Sequence, residues 1–345
     1  MTPSGATVSV GVADGVAHVG GVERCASPWS CPTCAPVIRE RRAHEIDQAL
    51  SAHLEAGRVA AMVTVTVPHY ADNRGRGLRA TYDVVRTAWR RVVSGRRWIE
   101  FRDRWSVVGQ IKASEMTYGT NGWHPHLHTL VILDRAELEP WEQAEFAGWL
   151  SRRWAHEVRR LGWFTPSKAH GADVRWVFGA SDLSKYLTVI EGGWNPGLEL
   201  ARGDIKKARG SRTPWQFLAE FLETGEVACL ALWREFEEAT FGRKMLTWSP
   251  GLRGYLGVGA EVTDEEAATE EPDELHALYL VDASEWQRSL CAGVVGELLG
   301  VLELHAQGGD VTLPYGVQYH HGGGQPATRD TYGGGVMSKI GRASP

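Results

Sequence analysis

Two β-rich runs facing each other across one short turn constrain this chain more than any other feature. Residues 106–118 (SVVGQIKASEMTY) read as a strand, Gly119-Thr120-Asn121-Gly122 as a turn, and residues 123–133 (WHPHLHTLVIL) as the returning strand. Glycine at both ends of a four-residue turn is good hairpin chemistry. Pairing Tyr118 with Trp123 sets Glu115 opposite His126. Residues opposite one another share a sheet face, as do positions two apart on a strand. Glu115, His124, His126 and His128 therefore project from one face. A slip of one residue would scatter them, so the reading depends on this register.

The hairpin sits in a regular alternation of elements. Residues 35–56 show a partial apolar stripe (Ile38, Ile46, Ala49, Leu50) and read as a helix; residues 58–67 are β-branched and end at Pro68, a strand. Helical patterns cover 78–93, 96–104 and 139–161, with a short strand at 173–178 and a helix at 180–191 stopped by Gly192-Gly193. The fold class expected is α+β: an antiparallel sheet of about five strands with helices, followed by a mainly helical C-terminal part. In that part, residues 214–222 and 227–241 read as helices, 276–281 as a strand and 283–304 as a helix. Residues 1–22 are small and glycine-rich and read as flexible; the tail from 306 to 345, with Gly322–Gly324 and Gly333–Gly335, reads as disordered.

The formal charge of −5 argues against a nucleic-acid partner only until its distribution is examined. Residues 1–255 hold 33 Lys/Arg against 28 Asp/Glu, whereas residues 256–345 hold 4 against 14. The acidity belongs to the C-terminal part, and the rest is mildly basic, with arginine clusters at 39–42, 74–79 and 86–97. Such clusters hold phosphates or simply face water, and charge alone does not choose. No apolar run approaches the roughly 18 residues that cross a bilayer, and the N-terminus lacks the pattern of a secretory signal. A cytoplasmic protein is the expectation, with no membrane partner.

Three histidines at alternate strand positions converge as metal coordination by imidazole requires. Two imidazoles and a carboxylate, with positions left open, suit a catalytic Mg²⁺ or Mn²⁺ better than a closed zinc site. Glu115, His126 and His128 are the expected ligands; His124 reads as a substitute ligand or a phosphate contact. Separately, Cys25, Cys31 and Cys34 crowd into ten positions, which in a reducing compartment points to structural zinc. His44 and His18 are the nearest candidates for a fourth ligand. Cys229 and Cys291 lie in apolar patterns and read as buried.

His126-Leu127-His128 is a histidine–hydrophobic–histidine triplet of the kind that names the HUH endonucleases. The longer string, Glu115-Met116-Thr117-Tyr118-Gly119 and then Gly122-Trp123-His124-Pro125-His126-Leu127-His128, resembles the rolling-circle replication initiators of actinobacterial plasmids. Met62 to His69 (MVTVTVPH) resembles the family's first motif, Ser184-Lys185-Tyr186-Leu187 its tyrosine motif, and the cysteine segment with Arg39 and Arg42 its N-terminal segment. Stretches at 212–216 and 246–253 resemble its C-terminal part, so the likeness covers roughly residues 23 to 300.

The resemblance implies a nickase and strand transferase in which Tyr186 attacks an origin phosphodiester, forming a 5′-phosphotyrosine and freeing a 3′-OH. It implies single-stranded and supercoiled origin DNA as partners, with a host helicase and polymerase. Asp182, one helical turn before Tyr186, fits either a general base or the helix N-cap. Many relatives carry lysine three residues after the tyrosine, where this chain has Val189; Lys185 is adjacent and reads as a DNA contact. The domains expected are a flexible 1–22, a cysteine segment and helix at 23–56, an HUH nuclease at 57–205, a mainly helical 206–305 and the 306–345 tail. A relaxase or transposase sharing the site, and a non-catalytic origin-binding protein, are the competing readings.

Overall fold

The computed structural model describes residues 7–13, 16–20, 24–31, 34–69, 77–167, 170–178, 211–269, 277–286, 295–309, 312–313 and 316–321. From the N-terminus the elements are β1 (Thr7–Ala13), β2 (Val16–Gly20), α1 (Cys34–Glu55), β3 (Val59–Thr66), α2 (Leu78–Val92) and α3 (Arg96–Trp105). Next come β4 (Val107–Gly119), β5 (Gly122–Leu133), α4 (Pro140–Arg160) and β6 (Ala172–Phe178). After residue 210 follow α5 (Pro214–Thr224), α6 (Val227–Thr240), β7 (Leu246–Trp248), α7 (Leu252–Tyr255) and α8 (Asp264–Thr269). The described elements end with β8 (Ala277–Asp282), α9 (Val295–Ala306) and β9 (Val317–His321). The class is α+β, as expected, with two antiparallel sheets.

The chain divides into two compact units, Arg24–Glu270 and Met1–Glu23 with Glu271–Pro345. The boundaries expected at 205/206 and 305/306 differ from this division. In the smaller unit the sheet order is β2-β1-β8-β9. Residues 7–13 and 16–20, read as flexible, are thus a paired hairpin. Val8, Val10 and Val12 alternate into a core with Tyr279, Val281, Trp286, Leu298 and Leu302, which outweighs the glycines around them. Residues 317–321, expected to be disordered, pair with β8.

The larger unit is built on a five-stranded sheet in the order β6-β3-β5-β4-β7. Four strands fall where periodicity placed them, and the fifth, β7, is three residues long. The central strand β5 pairs with β4 on one side and β3 on the other, with Tyr118 opposite Trp123, Glu115 opposite His126 and Thr66 opposite His126. The register read from the turn is the observed one. Gly122 takes φ 83°, the left-handed conformation that glycine adopts without steric cost.

Each sheet face has its own cover. One face, through Val63, Val65, Leu127, Val131 and Leu133, packs on α2, α3 and α4, where Trp89, Phe101, Phe146 and Trp154 fill the space. The other, through Ala60, Met62, Ile111, Leu130 and Ile132, packs on Ile46, Ala49, Leu50 and Leu54 of α1. His124, His126 and His128 continue the alternation of Leu130 and Ile132, so they lie on the α1 side of the sheet. Helix α4 starts with Pro140 behind a reciprocal Glu139/Glu142 capping box, and α5 repeats the device with Thr213, Pro214 and Gln216.

The hairpin end is held from below by α5 and α6, whose Phe217, Trp233 and Phe236 pack with Met116 and Trp123. Glu235 is the polar centre of this contact. Its Oε1 accepts from the Leu78 backbone N–H at 2.6 Å, supplying the α2 N-terminus with an acceptor, and its Oε2 accepts from Trp123 Nε1 at 2.8 Å. Glu235→Ala is expected to cost about 2 kcal/mol of stability, because both donors lose a charged acceptor. Denaturant unfolding would show it; an unchanged midpoint would mean that neither bond contributes.

Candidate metal centre

The hairpin geometry determines what reaches the centre. Residues 124, 126 and 128 direct their main-chain groups toward β4 and 125, 127 and 129 toward β3, as antiparallel pairing requires. Pro125, which has no N–H, lies just past the last β3 pair, so no ladder bond is lost there; its carbonyl accepts from Thr66 Oγ1 at 3.1 Å. His126 and His128 are thereby fixed between β3 and β4, and His124 by β4.

His128 is 2% and Glu115 6% exposed, and His128 Nε2 lies 2.7 Å from Glu115 Oε2. The other ring nitrogen of His128 is 3.1 Å from Thr64 Oγ1 on β3. An imidazole held at one nitrogen offers the other in a fixed direction, the arrangement in which proteins prepare a metal ligand. The ligand atoms of Glu115, His126 and His128 all lie within 4.8 Å of one another. That spacing fits a single divalent cation at about 2.1 Å from each donor after small side-chain shifts. The set is one carboxylate and two imidazoles, so coordination positions remain for water or substrate.

His124 stands outside this ligand set. Its Nδ1 is 3.0 Å from His126 Nε2, and its ring stacks on His69 with centroids 3.9 Å apart and planes 23° apart. Burial, then the neighbouring His126 and His69, pushes His124 down to about 2, and burial also lowers His69. The neutral form of both rings is thereby favoured, and the His124–His126 contact is a hydrogen bond between two imidazoles.

The second cluster lies before and at the start of α1. The sulfur atoms of Cys25, Cys31 and Cys34 are within 4.8 Å of one another, compatible with thiolates around one zinc at about 2.3 Å. The Cys34 backbone N–H donates to Cys31 Sγ at 3.3 Å, tightening the Cys31-x-x-Cys34 loop. Of the two histidines considered as a fourth ligand, His44 is exposed and bonded to Gln48 Nε2 at 2.8 Å. It is also ten residues, roughly 15 Å, along the helix from Cys34. His18 belongs to β2 of the other unit. Among the described residues no fourth ligand joins the three cysteines. Cys229 is buried, as expected, and Cys291 lies outside the described residues.

A protein named "Protein rep" from Streptomyces lividans is 32% identical over 339 residues, covering 82% of this chain and 73% of that protein. This chain belongs to the Rep family. A second relative of the Rep chain is "Neomycin resistance protein" from Streptomyces cyanogenus, 29% identical over 155 residues. That match spans 39% of this chain and 36% of the relative. No protein-family model matches this Rep protein, and no solved structure matches it.

Of the residues that the Rep sequence nominated, the fold brings together Glu115, His126 and His128, with His124 beside them, and separately the three cysteines. Tyr186, Asp182, Lys185 and Val189 lie outside the described residues. Sequence reasoning missed His69 and Thr64 as site residues. No local pattern points to them: only the observed β3–β5 register, which sets Thr64 opposite His128 and Thr66 opposite His126, brings the residues following Thr66 toward His124.

If the cysteines hold zinc, Cys34→Ser should release it. Cys34 is 1% exposed and packs with Ile38, Ala267 and Ala268, so the local core depends on its seating. The expected result is loss of about one zinc per chain by elemental analysis and a lower unfolding midpoint, since structural zinc binding contributes directly to folding. Metal-free protein with the same midpoint as wild type would remove the zinc assignment.

Proposed function

We propose that this Rep protein initiates rolling-circle replication of a plasmid by nicking its origin with HUH-type chemistry. The observation that carries the reading is the convergence of Glu115, His126 and His128 on the sheet face, with His128 held between Glu115 and Thr64. Membership of the Rep family supports a plasmid replication role. Among the described residues no helix is long and apolar enough to cross a membrane, and the proposed place of action is the cytoplasm.

In this reading Glu115, His126 and His128 hold Mg²⁺ or Mn²⁺, which supplies Lewis-acid polarisation of the scissile phosphate. Tyr186 is the nucleophile: its phenol oxygen attacks phosphorus, the 3′-oxygen leaves, and a 5′-phosphotyrosine link forms while a 3′-OH is freed for a host polymerase. A phenol titrates near 10, so at neutral pH its proton must be taken up as it attacks. Asp182, four residues earlier in sequence, is proposed to accept a proton from water or from the second attacking group at termination. Lys185 is assigned to phosphate contact. Cys25, Cys31 and Cys34 hold a structural zinc, and a host helicase separates the strands. The partners are single-stranded and supercoiled origin DNA.

The test is a supercoiled plasmid carrying the protein's own origin, incubated with the wild-type chain and Mn²⁺. Open circles that form with Mn²⁺ and disappear with chelator support the reading. An origin bound but left supercoiled under every divalent metal would replace it with the origin-binding role.

A further inference from the structure

Resting on the reading of Glu115, His126 and His128 as cation ligands, we propose that His124 and His69 are positioning residues that aim His126 at the cation. Three observations converge on this pair. His126 Nε2 and His124 Nδ1 are 3.0 Å apart, so one ring of the neighbouring strand position fixes the rotation of the other. His69 covers His124 face to face at 3.9 Å. The segment that carries His69 is itself pinned: Trp154 Nε1 donates to the Thr66 carbonyl and Trp163 Nε1 to the Pro68 carbonyl, both at 2.9 Å.

The arrangement gives the two imidazole ligands matching support. Thr64 from β3 holds His128, and His124, stacked on His69 from the end of β3, holds His126. Both orienting groups therefore depend on β3, whose register with β5 is continuous from Val59 to Thr66. A fourth-ligand role for His124 fits less well, because it falls outside the group whose ligand atoms cluster. A plain solvent-facing histidine row fits less well still, because it would not explain a stacked partner from the segment that follows β3.

Mn²⁺ uptake by the full chain, followed by calorimetry and by the electron paramagnetic resonance signal of free Mn²⁺, separates these roles without relying on nicking. His124→Ala is expected to weaken Mn²⁺ binding by about 10- to 100-fold, the range typical of groups that orient a ligand. His124→Asn, whose amide reaches the place of Nδ1, should recover most of that loss. His69→Phe, which keeps the stacked ring, should bind as wild type, whereas His69→Ala should weaken binding. Thermal midpoints for all four confirm that the fold persists. His124→Ala with wild-type affinity would overturn the proposal, as would His124→Asn losing Mn²⁺ as completely as His128→Ala, which would make His124 a ligand. A wild-type chain that takes up no Mn²⁺ would overturn the metal reading itself. A wild type that binds Mn²⁺, with binding lost in His128→Ala and unchanged in His124→Ala, would overturn only this inference.

Discussion

A Tyr186→Phe variant is expected to leave a supercoiled origin plasmid intact under conditions in which the wild-type chain nicks it. The substitution deletes one oxygen, the atom proposed to attack phosphorus, and keeps the ring. No other change of that size removes the nucleophile while leaving the metal ligands in place. Losing a nucleophile abolishes the covalent route, so the fall should be on the order of 10⁴-fold or more. Mn²⁺ affinity and origin binding should be unaffected, because Glu115, His126 and His128 are untouched. Open circles formed at the wild-type rate would assign the attack to another group, or to water, and would leave the metal centre without a tyrosine partner.

The second large effect is expected at His128. Its ring is almost fully enclosed between Glu115 and Thr64, so His128→Ala removes a proposed ligand and leaves the Glu115 carboxylate without the imidazole 2.7 Å away. Mn²⁺ binding should vanish, and nicking should fall by about 10³-fold, the usual loss when a group that stabilises developing charge is deleted. Stability should fall by about 1–3 kcal/mol, the cost of depriving a buried polar group of its partner. Glu115→Gln distinguishes the two effects. It keeps the shape and a hydrogen-bonding oxygen but lowers the charge available to a cation, so Mn²⁺ is lost with a smaller change in unfolding midpoint. Wild-type Mn²⁺ affinity in His128→Ala would contradict the ligand assignment.

Much of the site was legible because strand geometry has a period of two and the turn announced itself. Gly119 and Gly122 set the register, and the register alone brought Glu115 to the histidine face. What pairing could not show was the diagonal reach: Glu115 lies opposite His126 but bonds His128 two positions on. His69 escaped notice because its partner, His124, is on another strand, and only the β3–β5 register connects them. The N-terminal hairpin escaped for a related reason. Val8, Val10 and Val12 carry an alternating signal, but glycines interrupt the segment, and although β2 is adjacent the other partner of β1, β8, is more than 260 residues away. Glu235 shows the same limit, since a helical glutamate gives no sequence sign that it will cap α2 and hold Trp123. Local pattern specifies elements and faces; contacts between distant elements come from packing.

One covalent bond, between Tyr186 and a 5′-phosphate, is central to the proposed mechanism. The full chain, incubated with Mn²⁺ and a single-stranded oligonucleotide spanning its origin, is digested, and the peptide that retains nucleotide is sequenced by mass spectrometry. The expected result is a single adduct on the peptide containing Tyr186, through a 5′-phosphate, and none when Mn²⁺ is chelated. Cleaved DNA with no protein attached, or an adduct on a different residue, would contradict it.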